Sequence, residues 1–190
     1  MISLILGLGN IGERYRSTRH NVGFGVVESI LKQRRLSLQP TTDLYDWAAD
    51  DLEERRIVYA MPKTFMNLSG IAAEALLHET GFEPSEMLIV VDDFNLPLGS
   101  LRIRKGGSDG GHNGLESIID QLQTEGFPRL RLGIGPVPEG ADVIEFVLGK
   151  FNKEESERTE EMIKKASEAV MFCLEHPLDE AMSKYNGNPA

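Results

Sequence analysis

The sequence predicts one α/β domain, residues 1–190, with a three-layer α/β/α arrangement in which helices cover both faces of a mixed, twisted central sheet. First, short apolar runs alternate along the chain with stretches whose apolar residues recur at helical spacing. Second, two later strands alternate apolar and polar residues, which indicates antiparallel pairing beside buried parallel strands. Third, no repeat or long linker divides the 190 residues, a length that suits one domain.

The first half of the chain predicts strand, helix, strand, helix and strand in that order. Residues 2–6 (ISLIL) form a continuous apolar run typical of a strand buried on both faces, and residues 21–35 carry apolar residues at helical spacing. Residues 56–61 (RIVYAM) predict a strand that ends before a proline, and the apolar residues of 67–80 share one helix face. The apolar run at 87–91 (MLIVV) predicts another buried strand.

The second half of the chain predicts two half-exposed strands and further helices. Residues 101–105 (LRIRK) and 129–135 (RLRLGIG) alternate, which is typical of strands with one solvated face. A helix is predicted between them over 114–123. Residues 153–175 predict a long amphipathic helix that ends before a proline, and we expect a short helix to follow to about residue 185.

Composition and charge exclude several classes of protein. The formal net charge of −10 argues against a general nucleic-acid coat protein. No apolar run approaches the roughly 18 residues needed to cross a membrane, and the first residues lack a basic leader. We therefore expect a cytoplasmic protein without membrane contact. Cys173 is the only cysteine in the sequence, so neither an intrachain disulfide nor a cysteine-based zinc site is expected.

The segment GLGNIG at 7–12 satisfies the G-x-G-x-x-G pattern of dinucleotide-binding loops letter for letter. Such a loop must open directly into a helix, so that the pyrophosphate lies at the helix N-terminus. Here the polar segment ERYRSTRHN follows, and the helix is predicted to begin only near Asn21. We therefore interpret the glycines as residues that let the chain leave the strand and bring Asn10 close to a ligand.

Polar residues in three segments follow predicted strands. Because ligands of α/β sheets usually bind outside the carboxyl ends of the strands, these segments could converge on one site. Each residue alone also has a purely structural interpretation, as a helix cap, a turn former or a satisfied loop residue. The candidates are Asn10, Tyr15 and His20 after the first strand, Asn67 at the start of a helix, and Asp92, His112 and Asn113.

Several long motifs in this chain resemble those of the bacterial-type peptidyl-tRNA hydrolase family. The motifs occur in the family's order and with its spacing over nearly the whole chain. They are GLGNIGERYRSTRHNVGF at 7–24, KTFMNLSG at 63–70, DDFNLPLG at 92–99, GGHNG at 110–114, FVLGKF at 146–151 and AMSKYNG at 181–187.

The resemblance implies the family's fold and its reaction, hydrolysis of the ester that joins a peptide to the 3′ end of tRNA. This reaction frees tRNA from stalled or aborted translation and needs no metal or other cofactor. By the family's pattern, His20 would be the catalytic base and Asp92 its partner. The remaining candidates would line the site and hold the substrate, and they are Asn10, Tyr15, Asn67, His112 and Asn113.

These roles make chemical sense for an ester, which has a good leaving group. One positioned base that removes a proton from water typically accelerates such a reaction about 10²–10⁴-fold, and the ordinary pKa of histidine suits that task. A carboxylate on the other ring nitrogen would fix the tautomer. An amide N–H₂ can stabilise the developing oxyanion, and we assign that role to Asn10.

Five basic residues on or beside the two alternating strands are candidates for binding tRNA phosphates. Phosphate contacts position a nucleic acid without reading its sequence, which suits an enzyme that accepts every elongator tRNA. The glycine-rich segment 106–114 is a candidate gate. The five residues are Arg102, Arg104, Lys105, Arg129 and Arg131. One tRNA-sized surface suffices for this reaction, so we expect a monomer.

Two other functions stay open on the sequence alone. A non-enzymatic relative that binds protein partners, as splicing-factor subunits of this fold family do in plant organelles, could retain His20 and Asp92. An exposed apolar patch on the C-terminal helices would favour that function. A hydrolase of aminoacyl or small acyl esters is the other alternative, and it would need neither a 5′-phosphate nor an acylated α-amino group on its substrate.

Overall fold

A computed structural model describes residues 1–40 and 43–187. The strands are β1 (Leu4–Gly7), β2 (Gln39–Pro40), β3 (Tyr45–Leu52), β4 (Arg55–Pro62), β5 (Met87–Pro97), β6 (Leu101–Arg104) and β7 (Arg129–Gly135). The helices are α1 (Val22–Arg34), α2 (Ser69–Thr80), α3 (Asn113–Leu122), α4 (Val143–Leu148), α5 (Lys153–Glu175) and α6 (Leu178–Tyr185). Short 3₁₀ turns lie at Glu13–Tyr15, Arg19–Asn21, Met66–Leu68 and Pro84–Glu86.

The strands form one seven-stranded mixed sheet in the order β2-β3-β4-β1-β5-β7-β6. Its centre is parallel, because β1 pairs with β4 and β5, and β5 pairs with β7, all in the same direction. Both edges are antiparallel, formed by β2 and β3 on one side and by β6 on the other. The prediction of a mixed sheet is confirmed.

Two apolar cores lie on opposite faces of the sheet and make the three layers. One core joins α1, α5 and α6 to the sheet, and includes the buried Cys173, whose thiol pKa is raised to about 12 by burial. The other core joins α2 and α3 to the opposite face. Side chains of β1 alternate between the two cores, with Ile5 in the first and Leu4 and Leu6 in the second. The continuous apolar run of this strand is the signature of that double burial.

The glycines of the GLGNIG segment bring β1 close to α1. A Cβ on Gly7 would lie 2.4 Å from the carbonyl oxygen of Gly23, and one on Gly9 would lie 2.8 Å from the Phe24 ring. Helix α1 begins at Val22, as predicted, with two 3₁₀ turns between it and the glycines. No helix N-terminus therefore follows the glycines in the way that a dinucleotide loop requires.

The structure also contains elements that the sequence did not predict. The edge strands β2 and β3 were missed, and the β3–β4 hairpin turns at Glu53 and Glu54, which both have positive φ although neither is glycine. The short helix α4 was missed as well. Strand β7 differs from its prediction because it is buried along nearly its whole length, including Arg129. Within the described residues, no helix combines the length and the apolar character that a membrane span needs.

Candidate active site

The site lies at the carboxyl end of β1, beside the part of the neighbouring parallel strand β5 that continues beyond the last pair between the two strands, Gly7 with Val90. Asn10 follows β1 by three residues, and Asp92 lies on β5. Regular pairing of β5 with β7 stops after Asp93, and the register shifts before Pro97. An irregularity of this kind is common beside active sites because it redirects side chains. The sheet therefore presents Asp92 at the position where α/β folds usually bind their ligands.

Two imidazoles converge on a single oxygen of the Asp92 carboxylate. Nδ1 of His20 lies 2.8 Å from Oδ1, and Nε2 of His112 lies 3.1 Å from the same atom. The ring centroids of the two histidines are 4.9 Å apart. All three side chains are buried, with Asp92 only 2% exposed. Residues 72 and 20 positions apart in the chain from Asp92 thus form one hydrogen-bonded cluster.

The second nitrogen of each ring distinguishes the two histidines. Nδ1 of His112 accepts hydrogen bonds from the backbone N–H groups of Gly114 and Leu115, at 3.1 and 3.3 Å, so His112 caps helix α3. An acceptor nitrogen carries no proton, so the neutral His112 ring holds its proton on Nε2 and donates it to Asp92. In His20, Nδ1 faces Asp92 and Nε2 has no hydrogen-bond partner among residues 1–40 and 43–187.

The Asp92 carboxyl is held in its ionised form. Burial raises its pKa, but the positive charges that His20 and His112 carry when protonated, and the hydrogen bonds from both rings, outweigh burial, and the net pKa lies well below the usual range. Its second oxygen, Oδ2, is buried without a hydrogen-bond partner in the described part of the chain. The negative charge is therefore balanced almost entirely through the two imidazoles.

The residue types of this cluster, two histidines and an aspartate, are also those of a metal site. His20, Asp92 and His112 can each offer one ligand atom, and these atoms lie within 4.8 Å of one another. A metal-bound histidine, however, presents a lone pair to the ion and usually donates its other N–H. His112 does the reverse, since Nδ1 accepts the helix N–H groups and Nε2 carries the proton. This hydrogen-bond pattern fits a proton-transfer cluster better than a ligand set.

Asn10 is fixed at both its backbone and its side chain. The side-chain amide of Asn21 forms two hydrogen bonds of 2.9 Å with the Asn10 backbone. Its Oδ1 accepts from the Asn10 N–H, and its Nδ2 donates to the Asn10 carbonyl. Oδ1 of Asn10 accepts from the backbone N–H of Met66 at 2.8 Å. This contact settles the amide orientation, because only the oxygen can accept. The Nδ2 group has no hydrogen-bond partner among the described residues, so its protons are available to a ligand.

The other predicted substrate-binding residues lie on the chain segments around this cluster. Asn67 is exposed, next to the Met66 that binds Asn10, and Asn113 is exposed at the first position of α3, next to His112. Tyr15 is half-buried, and its hydroxyl and ring both contact Arg14. His20, Asp92 and His112 are thus brought into direct contact, and Asn10 is linked to this cluster through Asn21, the residue after His20. The side chains of Tyr15, Asn67 and Asn113 remain open to solvent to differing degrees.

Three of the five predicted phosphate contacts are exposed at the edge of the sheet. Arg102 and Arg104 project from the outer strand β6, which alternates buried and exposed residues as predicted. Lys105 follows them and pairs at 2.7 Å with Asp179 in a surface ion pair whose side chains are 57% and 74% exposed. Surface pairs of this kind are weak, so a phosphate could displace Asp179.

The two arginines of β7 are instead engaged with the glycine-rich loop. Arg129 is 1% exposed, and its guanidinium donates to the carbonyls of Gly107, Ser108, Glu125 and Phe127. Arg131 donates to Asp93 and to the carbonyls of Ser108 and Asp109, with 14% of its side chain exposed. The guanidinium of Arg129, one of the predicted phosphate contacts, is thus buried and occupied by backbone carbonyls rather than exposed to solvent. Arg131 has little surface left for a phosphate.

Sequence reasoning missed several residues that build the site. Asn21 and the backbone of Met66 position Asn10, and Arg131 binds Asp93 beside Asp92. Thr18 and Arg19 are buried next to His20, at 2% and 8% exposure. A signal was present in the run TRHN at 18–21, because consecutive polar residues that a loop buries must each find a partner. Their partners, however, are distant in the chain, and the sequence alone does not reveal them.

Comparisons with known proteins show which family the chain resembles. The family model described as peptidyl-tRNA hydrolase matches residues 4–190. A peptidyl-tRNA hydrolase of Methylacidiphilum infernorum (isolate V4) is 43% identical over 181 residues, covering 95% of this chain and 96% of that protein. One from Chloroflexus aurantiacus (strain ATCC 29366 / DSM 635 / J-10-fl) is 42% identical over 184 residues, covering 96% and 98%. The crystal structure of peptidyl-tRNA hydrolase from Acinetobacter baumannii matches with a TM-score of 0.92 at 32% identity, covering 99% of this chain and 96% of that one.

Proposed function

The chain belongs to the peptidyl-tRNA hydrolase family, and from this premise we propose that His20 is the general base with which it hydrolyses the ester of peptidyl-tRNA. The observation that carries the proposal is the asymmetry of the His20 ring. Nδ1 lies 2.8 Å from the Asp92 carboxylate, whereas Nε2 has no partner among the described residues. A neutral ring with its proton on Nδ1 offers a lone pair at Nε2 to a water molecule.

In the proposed first step, Nε2 of His20 takes a proton from water while the water oxygen attacks the ester carbonyl carbon. The imidazolium that forms is stabilised by Asp92, which stays ionised. The tetrahedral intermediate then collapses, and the bond between the carbonyl carbon and the 3′ oxygen breaks. Nε2 returns its proton to that oxygen. The products are a peptide with a free carboxyl group and a tRNA with a free 3′ hydroxyl.

The developing oxyanion needs a hydrogen-bond donor that is already in place. Nδ2 of Asn10 suits this role, because the amide is locked by the 2.8 Å bond from Met66 to Oδ1 and by the grip of Asn21 on its backbone. A donor that does not have to reorganise during the reaction is worth about 10²–10³-fold in rate. Asn67, Asn113 and Tyr15 lie on the surrounding segments and would hold the peptide and the 3′ end, with His112 beside them.

The tRNA body would contact the outer strand of the sheet. Arg102, Arg104 and Lys105 are exposed there and can reach phosphates without displacing buried contacts. We exclude Arg129 from this group and assign it, with Arg131, to holding the 107–109 segment. A local basic edge on a chain of net charge −10 would orient the acidic substrate and keep other surfaces away from it.

We further propose that residues 1–190 act as one catalytic domain, as a monomer in the cytoplasm, with peptidyl-tRNA as the substrate and no metal or other cofactor. A mass measurement by light scattering, with and without tRNA, tests the oligomeric state. A mass of one chain, about 21.1 kDa, is expected for the free protein.

The proposal is tested by the release of free tRNA from N-acetyl-aminoacyl-tRNA in the presence of a chelator. Wild type should cleave this substrate, whereas His20→Ala should lose about 10²–10⁴-fold in kcat and still bind tRNA. His78→Ala is the matched control, because His78 is exposed on α2, and it should keep full activity. A folded wild type that cleaves nothing would refute the proposed enzyme activity. A fully active His20→Ala would refute only the role of His20.

A further inference from the structure

Arg19 is a buried cation next to His20 in the chain, and the reaction above does not use it. Its side chain is 9% exposed. Its guanidinium carbon lies 4.6 Å from the ring centroids of both Phe146 and Phe151. These two rings are the ends of the FVLGKF motif, so the motif that contains His20 and this later motif meet at Arg19.

The guanidinium also anchors the N-terminus of α5. Nη2 of Arg19 donates to both carboxylate oxygens of Glu155, at 3.2 and 2.9 Å. Glu155 is part of a capping box, since its carboxylate accepts from the backbone N–H of Asn152 while Asn152 accepts from that of Glu155. The carboxylate is therefore fixed by α5 before Arg19 binds it, and it offers a rigid point of attachment.

The backbone repeats the connection. The N–H of Arg19 donates to the carbonyl of Gly149 at 2.9 Å, and Thr18 forms an isolated antiparallel bridge with Lys150. Helix α4 packs against the 3₁₀ turn Arg19–Asn21. The turn is thus held to α4, α5 and the segment between them by the Arg19 side chain and by one backbone pairing, since the Arg19–Gly149 hydrogen bond is part of the Thr18–Lys150 bridge.

The ion pair between Arg19 and Glu155 is largely buried, so the desolvation of the two charges offsets much of their attraction. An apolar side chain could fill the space between the rings without the cost of desolvating a charge, and Nη1 of Arg19 is buried with no hydrogen-bond partner in the part of the chain that the structure describes. An apolar side chain would not, however, fix the orientation of the backbone at residue 19. A planar guanidinium between two rings and one carboxylate has a single orientation, which sets the position of the backbone that carries it.

The geometry points to Arg19 as a positioning residue for His20. The turn Arg19–Asn21 carries two groups of the site, since His20 contacts Asp92 and Asn21 holds Asn10. A displacement of this turn moves the base and the oxyanion donor together. This inference rests on the proposed function of His20, and it assigns to Arg19 an orienting role without contact with the substrate.

The test is Arg19→Met, which keeps a long side chain between the rings and removes the fork and the charge. We expect kcat on N-acetyl-aminoacyl-tRNA to fall about 10- to 100-fold, because small displacements of reacting groups cost rate, while KM changes less than about twofold. The double variant Arg19→Met/Glu155→Gln should be no slower than Arg19→Met alone, since both changes remove the same contact. Arg34→Met also removes an arginine that pairs with a carboxylate, that of Asp50, but at the far end of α1, and should leave kcat unchanged.

A second readout does not depend on turnover. In spectra of protein labelled with ¹⁵N-histidine, the Nδ1 proton of His20 should be protected by Asp92 in wild type and exchange faster in Arg19→Met. If this variant fails to fold, Arg19→Lys keeps the charge without the fork and should show the same two changes more weakly. A folded Arg19→Met with wild-type kcat, or with an unchanged His20 signal, overturns the inference. An inactive wild type with the expected change in the His20 signal refutes the proposed function but not the orienting role.

Discussion

His20 and His112 share one carboxylate oxygen, and they differ in what holds the other side of each ring. His112 is pinned at Nδ1 by the N–H groups that begin α3, so both of its nitrogens are occupied. His20 is pinned at Nδ1 by Asp92 alone, and its Nε2 has no partner among the described residues. The two rings are nearly equally buried, at 8% and 6% exposure. Burial and carboxylate contact therefore do not distinguish the two histidines, whereas the Nε2 of His20, without a partner among the described residues, does, and the proposed general base requires such a nitrogen.

The same contrast explains the position of the carboxylate. His112 ties Asp92 to the start of a helix, and that helix is fixed in the core through Leu115 and Ile118. Asp92 can then orient a ring that itself sits on a short turn. His112, which is held by α3, positions Asp92. Asp92 in turn orients His20, whose Nε2 is available for the proton exchange proposed above.

The largest effect is expected from removing the charge that both rings share. Asp92→Asn keeps the shape but cannot stabilise the imidazolium of His20, and it places an N–H₂ at the buried position of Oδ2, which has no partner within residues 1–40 and 43–187. We expect kcat to fall roughly 10²- to 10⁴-fold with tRNA binding retained. Rates of N-acetyl-aminoacyl-tRNA cleavage at saturating substrate measure this. A loss below about tenfold would mean that Asp92 does not support the base.

The second-largest effect is expected from Gly114→Ala, a substitution that crowds His112. A Cβ at Gly114 would lie 2.6 Å from Met66 Sδ, 2.9 Å from Leu8 Cδ1 and 3.0 Å from His112 Cε1. Gly114→Ala should therefore cost about 1–3 kcal/mol of unfolding free energy in urea, despite the better helix propensity of alanine. Gly25→Ala is the matched control, because its nearest neighbour is the flexible Ile163 side chain at 3.2 Å, and it should cost less than about 1 kcal/mol. Equal losses would show that the space around His112 is not tight.

Replacing the pinned histidine itself should have a moderate effect. His112→Asn can still cap α3, because asparagine is a favoured N-cap residue, but it no longer fixes Asp92 in the same way. We expect kcat/KM to fall about tenfold and the unfolding free energy to fall by about 1–3 kcal/mol, because the buried Asp92 carboxylate loses one of its two hydrogen-bond donors. If this variant lost as much activity as His20→Ala, the two histidines would not have the separate roles described above.

The smallest and most gradual effect is expected in the pH dependence of stability. The pKa of Asp92 is lower in the folded protein than its unfolded value of about 3.9, so the unfolded chain takes up the proton first as the pH falls. The stabilisation by Asp92 is therefore complete above that unfolded value and is lost progressively below it. The difference in unfolding free energy between wild type and Asp92→Asn should shrink from pH 5 to pH 3. For Asp179→Asn, which removes an exposed carboxylate, the difference should stay near zero throughout.

Local sequence patterns predicted most of the secondary structure. Apolar runs located β1, β4 and β5, and helical spacing located α1, α2, α3 and α5, because these elements bury one or both faces in the two cores. The edge strands β2 and β3 were not predicted, because β3 is only partly buried and the β3–β4 hairpin turns at Glu53 and Glu54 without a glycine. The burial of Arg129 was not predicted, for a related reason. Alternation in RLRLGIG places it on a polar face, but loop carbonyls from residues 107 and 108 cover that face.

For the candidate site, the sequence identified the residues but not the contacts that orient them. The resemblance of motifs proposed His20, Asp92 and Asn10, and the structure brings these residues to one end of the sheet. The contacts that orient them join residues far apart, such as Arg19 to Glu155 and Asn10 to Met66. Contacts at such separations leave no periodicity in the sequence, so only the folded chain shows them.

The hydrogen bonds around the Asp92 carboxylate imply opposite neutral tautomers for His20 and His112. Two-dimensional ¹H–¹⁵N spectra that correlate ring carbon-bound protons with both ring nitrogens, recorded on ¹⁵N-histidine-labelled protein near pH 8, distinguish the tautomers. We expect a protonated Nδ1 and an unprotonated Nε2 in His20, and the reverse in His112. A His20 ring that carries its proton on Nε2 would rule out its proposed role as the general base, because that nitrogen could then not accept a proton from water.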